Sequence, residues 1–115
     1  MCGNCGIIAA LFDAAGQEPH SNFMPVVRFL EAMESQGRVE LYAGDCPLPE
    51  TLDVLDAEMH FTLCQYLRCT QCGQFFFLGA CVRGTPKFKI IERIERENLD
   101  NLLWGRVGAK YHNNR

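Results

Sequence analysis

The sequence has few of the patterns that are typical of common enzyme classes. Serine and threonine are scarce, and none stands in a pattern that indicates a nucleophile activated by histidine and an acid. His20, His60 and His112 have no Glu two residues later, so the H-x-E pattern of base deaminases is missing. Residues 83–86 are too short for a glycine-rich phosphate loop and are typical of a hairpin turn. These absences favour a non-catalytic protein.

Long hydrophobic runs are also missing. No stretch approaches the length of a transmembrane helix, and the apolar run at residues 7–12 is too short for a secretory signal. We therefore expect a protein without a membrane partner. The seven cysteines form an odd set, which fits a disulfide framework poorly and favours reduced thiols in the cytoplasm.

Length and charge set further bounds. With 115 residues, of which 48% are hydrophobic, the chain is expected to form one domain over residues 1–115. The net charge of −3 does not favour nucleic acid or acidic membranes as partners of the whole chain. Residues 29–60 carry eight acids and one base, whereas residues 61–115 carry nine bases and four acids. The acidic stretch is either the solvated side of helices or a face for a basic partner.

The strongest motif is a doubled C-x-x-C-G. Cys2 and Cys5 precede Gly6, and Cys69 and Cys72 precede Gly73. Each spacing lets two thiolates on a tight turn reach one ion, and four thiolates complete a closed tetrahedral zinc site. The sequence therefore predicts that Cys2, Cys5, Cys69 and Cys72 bind Zn²⁺, and a domain this small gains stability from such a metal.

The second C-x-x-C-G, with its flanking apolar segments, resembles the knuckle of zinc-ribbon proteins. The resemblance covers residues 61–91 and the N-terminal Cys-Gly-Asn-Cys-Gly at residues 2–6. The resemblance implies a metal-binding hairpin, although the long gap at residues 6–68 is unusual for a ribbon. The alternatives are that these cysteines are simply buried apolar residues, or that Cys69 and Cys72 bind metal with other partners. His60, Cys64 and Cys81 are the reserve ligands, and Cys46 is a bystander.

Periodicity predicts an α+β fold with about three helices around a small antiparallel sheet that contains the zinc-knuckle hairpin. Residues 7–12 fit either a short buried strand or the start of a helix. Helices are expected at residues 22–36 (capped by Ser21), 50–60 and 92–104. The side chains expected to face inward are Phe23, Val26, Val27, Leu30 and Met33 in the first helix and Leu52, Leu55 and Met59 in the second. Strands are expected at 38–43, 74–82 and 87–91, and residues 61–68 fit either a strand or a continued helix.

The function that these features favour is a non-catalytic protein-binding or inhibitory module. Its acidic surface would occlude a basic toxin or enzyme, by analogy with small immunity proteins and antitoxins. The acidic residues proposed to bind this partner are Glu40, Asp45, Glu50, Asp53, Asp56 and Glu58. A thiol redox enzyme is disfavoured, since Cys72 is followed by a strand pattern and not by a helix that would lower the thiol pKa.

A nucleic-acid or ribonucleoprotein accessory module is the alternative. Basic and aromatic residues alternate over residues 68–89, and exposed rings beside basic groups can stack on bases. The residues concerned are Arg68, Phe75, Phe76, Phe77, Arg83, Lys87, Phe88 and Lys89. The competing interpretation is that the phenylalanines form the core.

Overall fold

A computed structural model describes residues 2–81, 84–94 and 96–112. Four helices of at least seven residues and four strands lie in this part of the chain. The helices are α1 (Gly3–Ala15), α2 (Pro19–Ser35), α3 (Thr51–Ala57) and α4 (Arg96–Leu102), followed by a last turn, α5 (Ala109–His112). The strands are β1 (Val39–Gly44), β2 (Thr62–Cys69), β3 (Phe75–Cys81) and β4 (Lys87–Ile91). The predicted α+β class is confirmed, and the described residues contain four helices of this length where the sequence predicts about three.

The sheet is an antiparallel meander in the order β1-β2-β3-β4. Val39 at the start of β1 pairs with Cys69 at the end of β2, and the register shifts between Leu41 and Ala43. Gly44 also forms a bridge with Val107 from the far end of the chain. The pairing therefore fixes Cys69 next to the loop that joins α2 to β1.

Helices cover one face of the sheet and the C-terminal segment covers much of the other, as expected for a sheet with apolar residues on both sides. The larger core joins α1 and α2 to the alternate residues Leu67, Phe76 and Leu78. The smaller core joins Leu99 and Leu103 to Tyr66. No helix in the described part of the chain has the combination of length and apolar character needed to cross a membrane.

Helix α1 is the element that the sequence did not predict, since residues 7–12 fitted either a strand or the start of a helix. Its glycines disfavour a helix, but Cys5, Ile8, Phe12 and Ala15 recur at helical spacing and are buried. Packing of this stripe against the sheet therefore outweighs the local preference.

Helix α2 begins earlier than predicted. It starts at Pro19 rather than at Asn22, and Ser21 lies within it instead of capping it. Proline suits the first helical position because its missing N–H would have no intrahelical partner there. The predicted inward stripe is nevertheless buried: Phe23, Val26, Val27, Leu30 and Met33.

Helix α3 ends earlier than predicted. It stops at Ala57 because Glu58 takes a left-handed conformation with φ of +50°, which ends the helical run. The predicted inward positions of Leu52 and Met59 are wrong, since both side chains are exposed. The open question over residues 61–68 is settled in favour of a strand, β2.

Some predictions fall outside the described residues. Val82 at the end of a predicted strand, Arg83 in the turn and Glu95 in the third helix lie there.

Candidate metal centre

The first C-x-x-C-G forms the opening turn of α1. Cys2 is the residue before the helix, and the N–H of Gly6 donates to its carbonyl oxygen at 2.9 Å. Cys5 lies one turn in and is fully buried. The helix therefore directs both sulfurs towards the sheet from its N-terminal end.

The second C-x-x-C-G forms the connection between β2 and β3. Cys69 ends β2, and the N–H of Gly73 donates to the Cys69 carbonyl at 2.9 Å. This is the same hydrogen bond that Gly6 makes to Cys2. The two motifs differ at the glycine, because Gly73 has φ of +83° and turns the chain back into β3. The C-x-x-C spacing is thus built once on a helix and once on a strand connection.

The four sulfurs lie together. Sγ–Sγ distances are 3.4 Å for Cys2–Cys5, 3.5 Å for Cys2–Cys69 and 3.3 Å for Cys5–Cys72. All four atoms lie within 4.8 Å of one another. These separations are far longer than the ~2.05 Å of a disulfide. They are close to the roughly 3.8 Å between sulfurs around a tetrahedral ion with Zn–S bonds of about 2.3 Å. The residues therefore fit a four-thiolate metal site.

Polar groups around the sulfurs hold the two halves in place. The backbone N–H of Gln71 donates to Cys69 Sγ at 3.4 Å, and Asn4 Nδ2 lies 3.9 Å from the same sulfur. Asn4 also donates to the carbonyl of Arg38 at 3.4 Å, and the N–H of Thr70 donates to that carbonyl at 3.1 Å. The Arg38 carbonyl thus contacts α1 and the β2–β3 connection together, independently of any ion.

The electrostatics of the cluster favour a bound cation. Burial raises the pKa of the Cys5 thiol, and the neighbouring sulfurs of Cys72, Cys2 and Cys69 raise it further. Four thiolates this close repel one another unless a positive ion shares their charge. The start of α1 also supplies the positive end of a helix dipole.

The reserve ligands lie elsewhere. Among the described residues, the group of possible ligands that could surround one ion consists of Cys2, Cys5, Cys69 and Cys72. His60 lies beyond the end of α3 and stacks on Trp104, and Cys64 lies within β2 opposite Gly79. Cys81 ends β3, and Cys46 is buried. His60 and Cys64 therefore do not share a helix face.

The six acidic residues predicted to bind a partner differ in their surroundings. Asp45 is only 3% exposed, and its carboxylate accepts from the N–H of Cys64 at 2.7 Å and of Gly105 at 3.0 Å. It therefore joins β2 to the C-terminal segment and does not lie on an exposed surface. Glu40 lies 3.7 Å from Arg68 in a partly exposed ion pair. The remaining predicted residues are exposed: Glu50, Asp53, Asp56 and Glu58.

The aromatic residues of the basic hairpin pack within the protein. Phe76 is fully buried, and its ring meets Phe12 edge-on at 5.9 Å. Phe75 packs on Tyr42 and Phe77 on Tyr66, while Phe88 contacts Phe12 and Phe23. The nucleic-acid alternative stays a prediction, and none of these contacts favours it.

The sequence does not predict one group of exposed apolar side chains. Met59 and Phe61 are 81% and 67% exposed, and Trp104 is 40% exposed although its ring is held in place. The sequence signal for this group is the run Met59-His60-Phe61, which places two large apolar residues at the end of the predicted helix at residues 50–60.

Two cysteines outside the cluster, Cys46 and Cys64, are expected to be unreactive in the folded protein. Burial raises the pKa of Cys46 to about 11, helped by the charge of Glu50, and burial with the charge of Asp45 raises the pKa of Cys64 to about 11. At pH 8 their alkylation by iodoacetamide should be at least about 100-fold slower than that of a free cysteine, because the thiolate is the reactive form. Site-resolved mass spectrometry measures both rates. In urea, Cys46 and Cys64 should be alkylated at the rate of a free cysteine. Fast alkylation of either thiol in the folded protein would contradict its burial.

Comparisons of the chain with protein-family models, with curated proteins and with solved structures found no significant match.

Proposed function

We propose that the four-cysteine cluster binds one Zn²⁺ that serves architecture. The observation that carries this proposal is that the sulfurs of Cys2 and Cys5 lie within 4.8 Å of those of Cys69 and Cys72. The two pairs stand 67 positions apart in the chain. A set of four soft thiolates selects zinc over harder ions, and four protein ligands leave no position open for a substrate or water. The ion would join the start of α1 to the β2–β3 connection.

Metal analysis of purified protein with paired substitutions tests this proposal. We expect one zinc per chain in the wild type, and none in Cys2→Ser/Cys5→Ser or in Cys69→Ser/Cys72→Ser. Cys81→Ser is the matched control, because it removes a partly buried thiol outside the cluster. Full zinc content in either double variant would contradict a shared ion.

On this scaffold the protein acts as a non-catalytic binding module for a basic protein. The support is the charge of the segment around α3: Glu50, Asp53, Asp56 and Glu58 are exposed, and no Lys or Arg lies between Arg38 and Arg68. Such a surface attracts a basic partner and can occlude its active face, as immunity proteins and antitoxins do. Asp45 has no part in this surface because it is buried.

Charge reversal tests the binding role. Asp53→Lys/Asp56→Lys is expected to abolish binding of a protein that co-purifies with the wild type. Glu92→Lys/Glu97→Lys is the control, since it makes the same charge change at exposed positions outside the segment. Unchanged affinity in the first variant, measured by titration calorimetry, would remove this proposal and leave the zinc proposal standing.

A further inference from the structure

Three consecutive exposed side chains follow the end of α3. The left-handed conformation of Glu58 turns the chain out of the helix, and Met59, His60 and Phe61 follow before β2 begins at Thr62. Met59 and Phe61 are among the most exposed large apolar side chains of the described residues. An acidic residue, Glu58, immediately precedes them, and Asp56 lies two positions before it.

A fourth side chain, Trp104 of the C-terminal segment, contacts His60 and the start of β2. The Trp104 ring stacks on His60 with centroids 3.7 Å apart and planes 7° from parallel. Its indole Nε1–H donates to the Thr62 carbonyl at 2.7 Å, and the next residue, Gly105, donates to buried Asp45. We call Met59, His60, Phe61 and Trp104 the anchor patch. Trp104 is thus fixed in position and still exposed.

An ordered, exposed patch of this composition is typical of an interface. Aromatic residues and methionine are enriched where proteins meet, and tryptophan is prominent among the residues that contribute most to binding. A ring that is already fixed loses little conformational freedom when a partner covers it. The anchor patch therefore has the properties of an interface centre, with carboxylates at its edge.

We propose that the anchor patch is the apolar centre of the partner-binding surface, and that its occupant is a basic amphipathic segment of another protein. Apolar side chains of that segment would cover Met59, Phe61 and Trp104, while its Lys or Arg side chains meet Asp56 and Glu58. Exposed aromatic rings also attract guanidinium groups. This inference rests on the proposed binding function and names the chemistry of the partner.

The charges argue against a second copy of this chain as the occupant. A two-fold contact through the anchor patch would bring the same patch of both copies together. Asp56 and Glu58 of one copy would then face Asp56 and Glu58 of the other, without a nearby base in the same segment. Like charges at such a contact oppose association.

Trp104 is the single tryptophan of the chain, so its fluorescence reports on the patch directly. The full-length, zinc-loaded protein is titrated with a tryptophan-free helical peptide that carries leucines on one face and arginines on the other. Two matched peptides replace all arginines by glutamate or all leucines by serine. We expect the arginine–leucine peptide to shift the Trp104 emission and to bind at least about tenfold more tightly than either control peptide.

Substitutions then separate the apolar contact from the charge. Met59→Ser/Phe61→Ser should weaken binding of the arginine–leucine peptide at least about tenfold, whereas Phe29→Ser, an exposed apolar residue of α2, should not change it. Circular dichroism and zinc content should be unchanged in both variants. Equal affinity for the three peptides, or unchanged affinity in Met59→Ser/Phe61→Ser, would overturn the inference.

The two proposals fail in different ways. If Asp53→Lys/Asp56→Lys abolishes binding of the co-purified partner but Met59→Ser/Phe61→Ser does not, the acidic binding function stands and the anchor patch does not. Sedimentation that shows a wild-type dimer, dissociated by Phe61→Ser, would assign the patch to self-association and overturn the choice of occupant.

Discussion

Removal of zinc should lower the free energy of unfolding by at least about 3 kcal/mol, because structural zinc sites contribute directly to folding. A domain of this size is stable by only about 5–15 kcal/mol. The expected result is a urea transition at clearly lower concentration after treatment with a strong chelator, followed by circular dichroism. Cys72 is exposed, so a chelator can approach the cluster.

The structure indicates which contacts of α1 remain when the metal ion is removed. Helix α1 contains Cys5 and follows directly on Cys2, and its buried stripe packs against the sheet, so part of its attachment survives without the ion. We expect Cys5→Ser to reproduce the effect of the chelator and the added chelator to have no further effect on that variant. Cys81→Ser should respond to the chelator as the wild type does. Identical urea midpoints of the wild type with and without chelator would contradict a structural role.

Phe76→Ala should lower the free energy of unfolding by about 3–5 kcal/mol. Phe76 is fully buried in β3 and meets the ring of Phe12, so it joins the sheet to α1 without the metal. Truncation removes apolar contacts and leaves a cavity between two layers that cannot fully close around it.

Urea unfolding of zinc-loaded protein measures this effect. Phe61→Ala is the control, because it makes the same chemical change at a largely exposed position and should stay within roughly 0.5 kcal/mol of the wild type. A loss below about 1 kcal/mol for Phe76→Ala would show that the ring is not in the core, and the hairpin would again be open to a role in stacking on bases.

The cysteine cluster was the part of the molecule most accessible to prediction. The C-x-x-C spacing and the chemistry of thiolates do not depend on the structure of residues 6–68. The approach of Cys2 and Cys5 to Cys69 and Cys72 could therefore be expected without knowledge of the fold. The alternation of apolar residues likewise located β1, β3 and β4 to within a few residues.

Other features depend on tertiary contacts that no local pattern shows. Helix α1 contains Gly3 and Gly6 and is stabilised by packing, so local preference did not reveal it. Asp45 looked like one more surface acid, but it accepts from Gly105, which lies 60 positions later in the chain. The left-handed turn that ends α3 is formed by Glu58 and not by a glycine, so the helical pattern continues past the true end of α3 and places Met59 in the core.

Zinc K-edge X-ray absorption spectroscopy on the purified full-length protein tests the shared ion most directly. Four sulfur neighbours at about 2.3 Å, with no lighter ligand, are the result expected if Cys2, Cys5, Cys69 and Cys72 bind one Zn²⁺. A shell of two sulfurs completed by nitrogen or oxygen, or protein that carries no zinc, would contradict it.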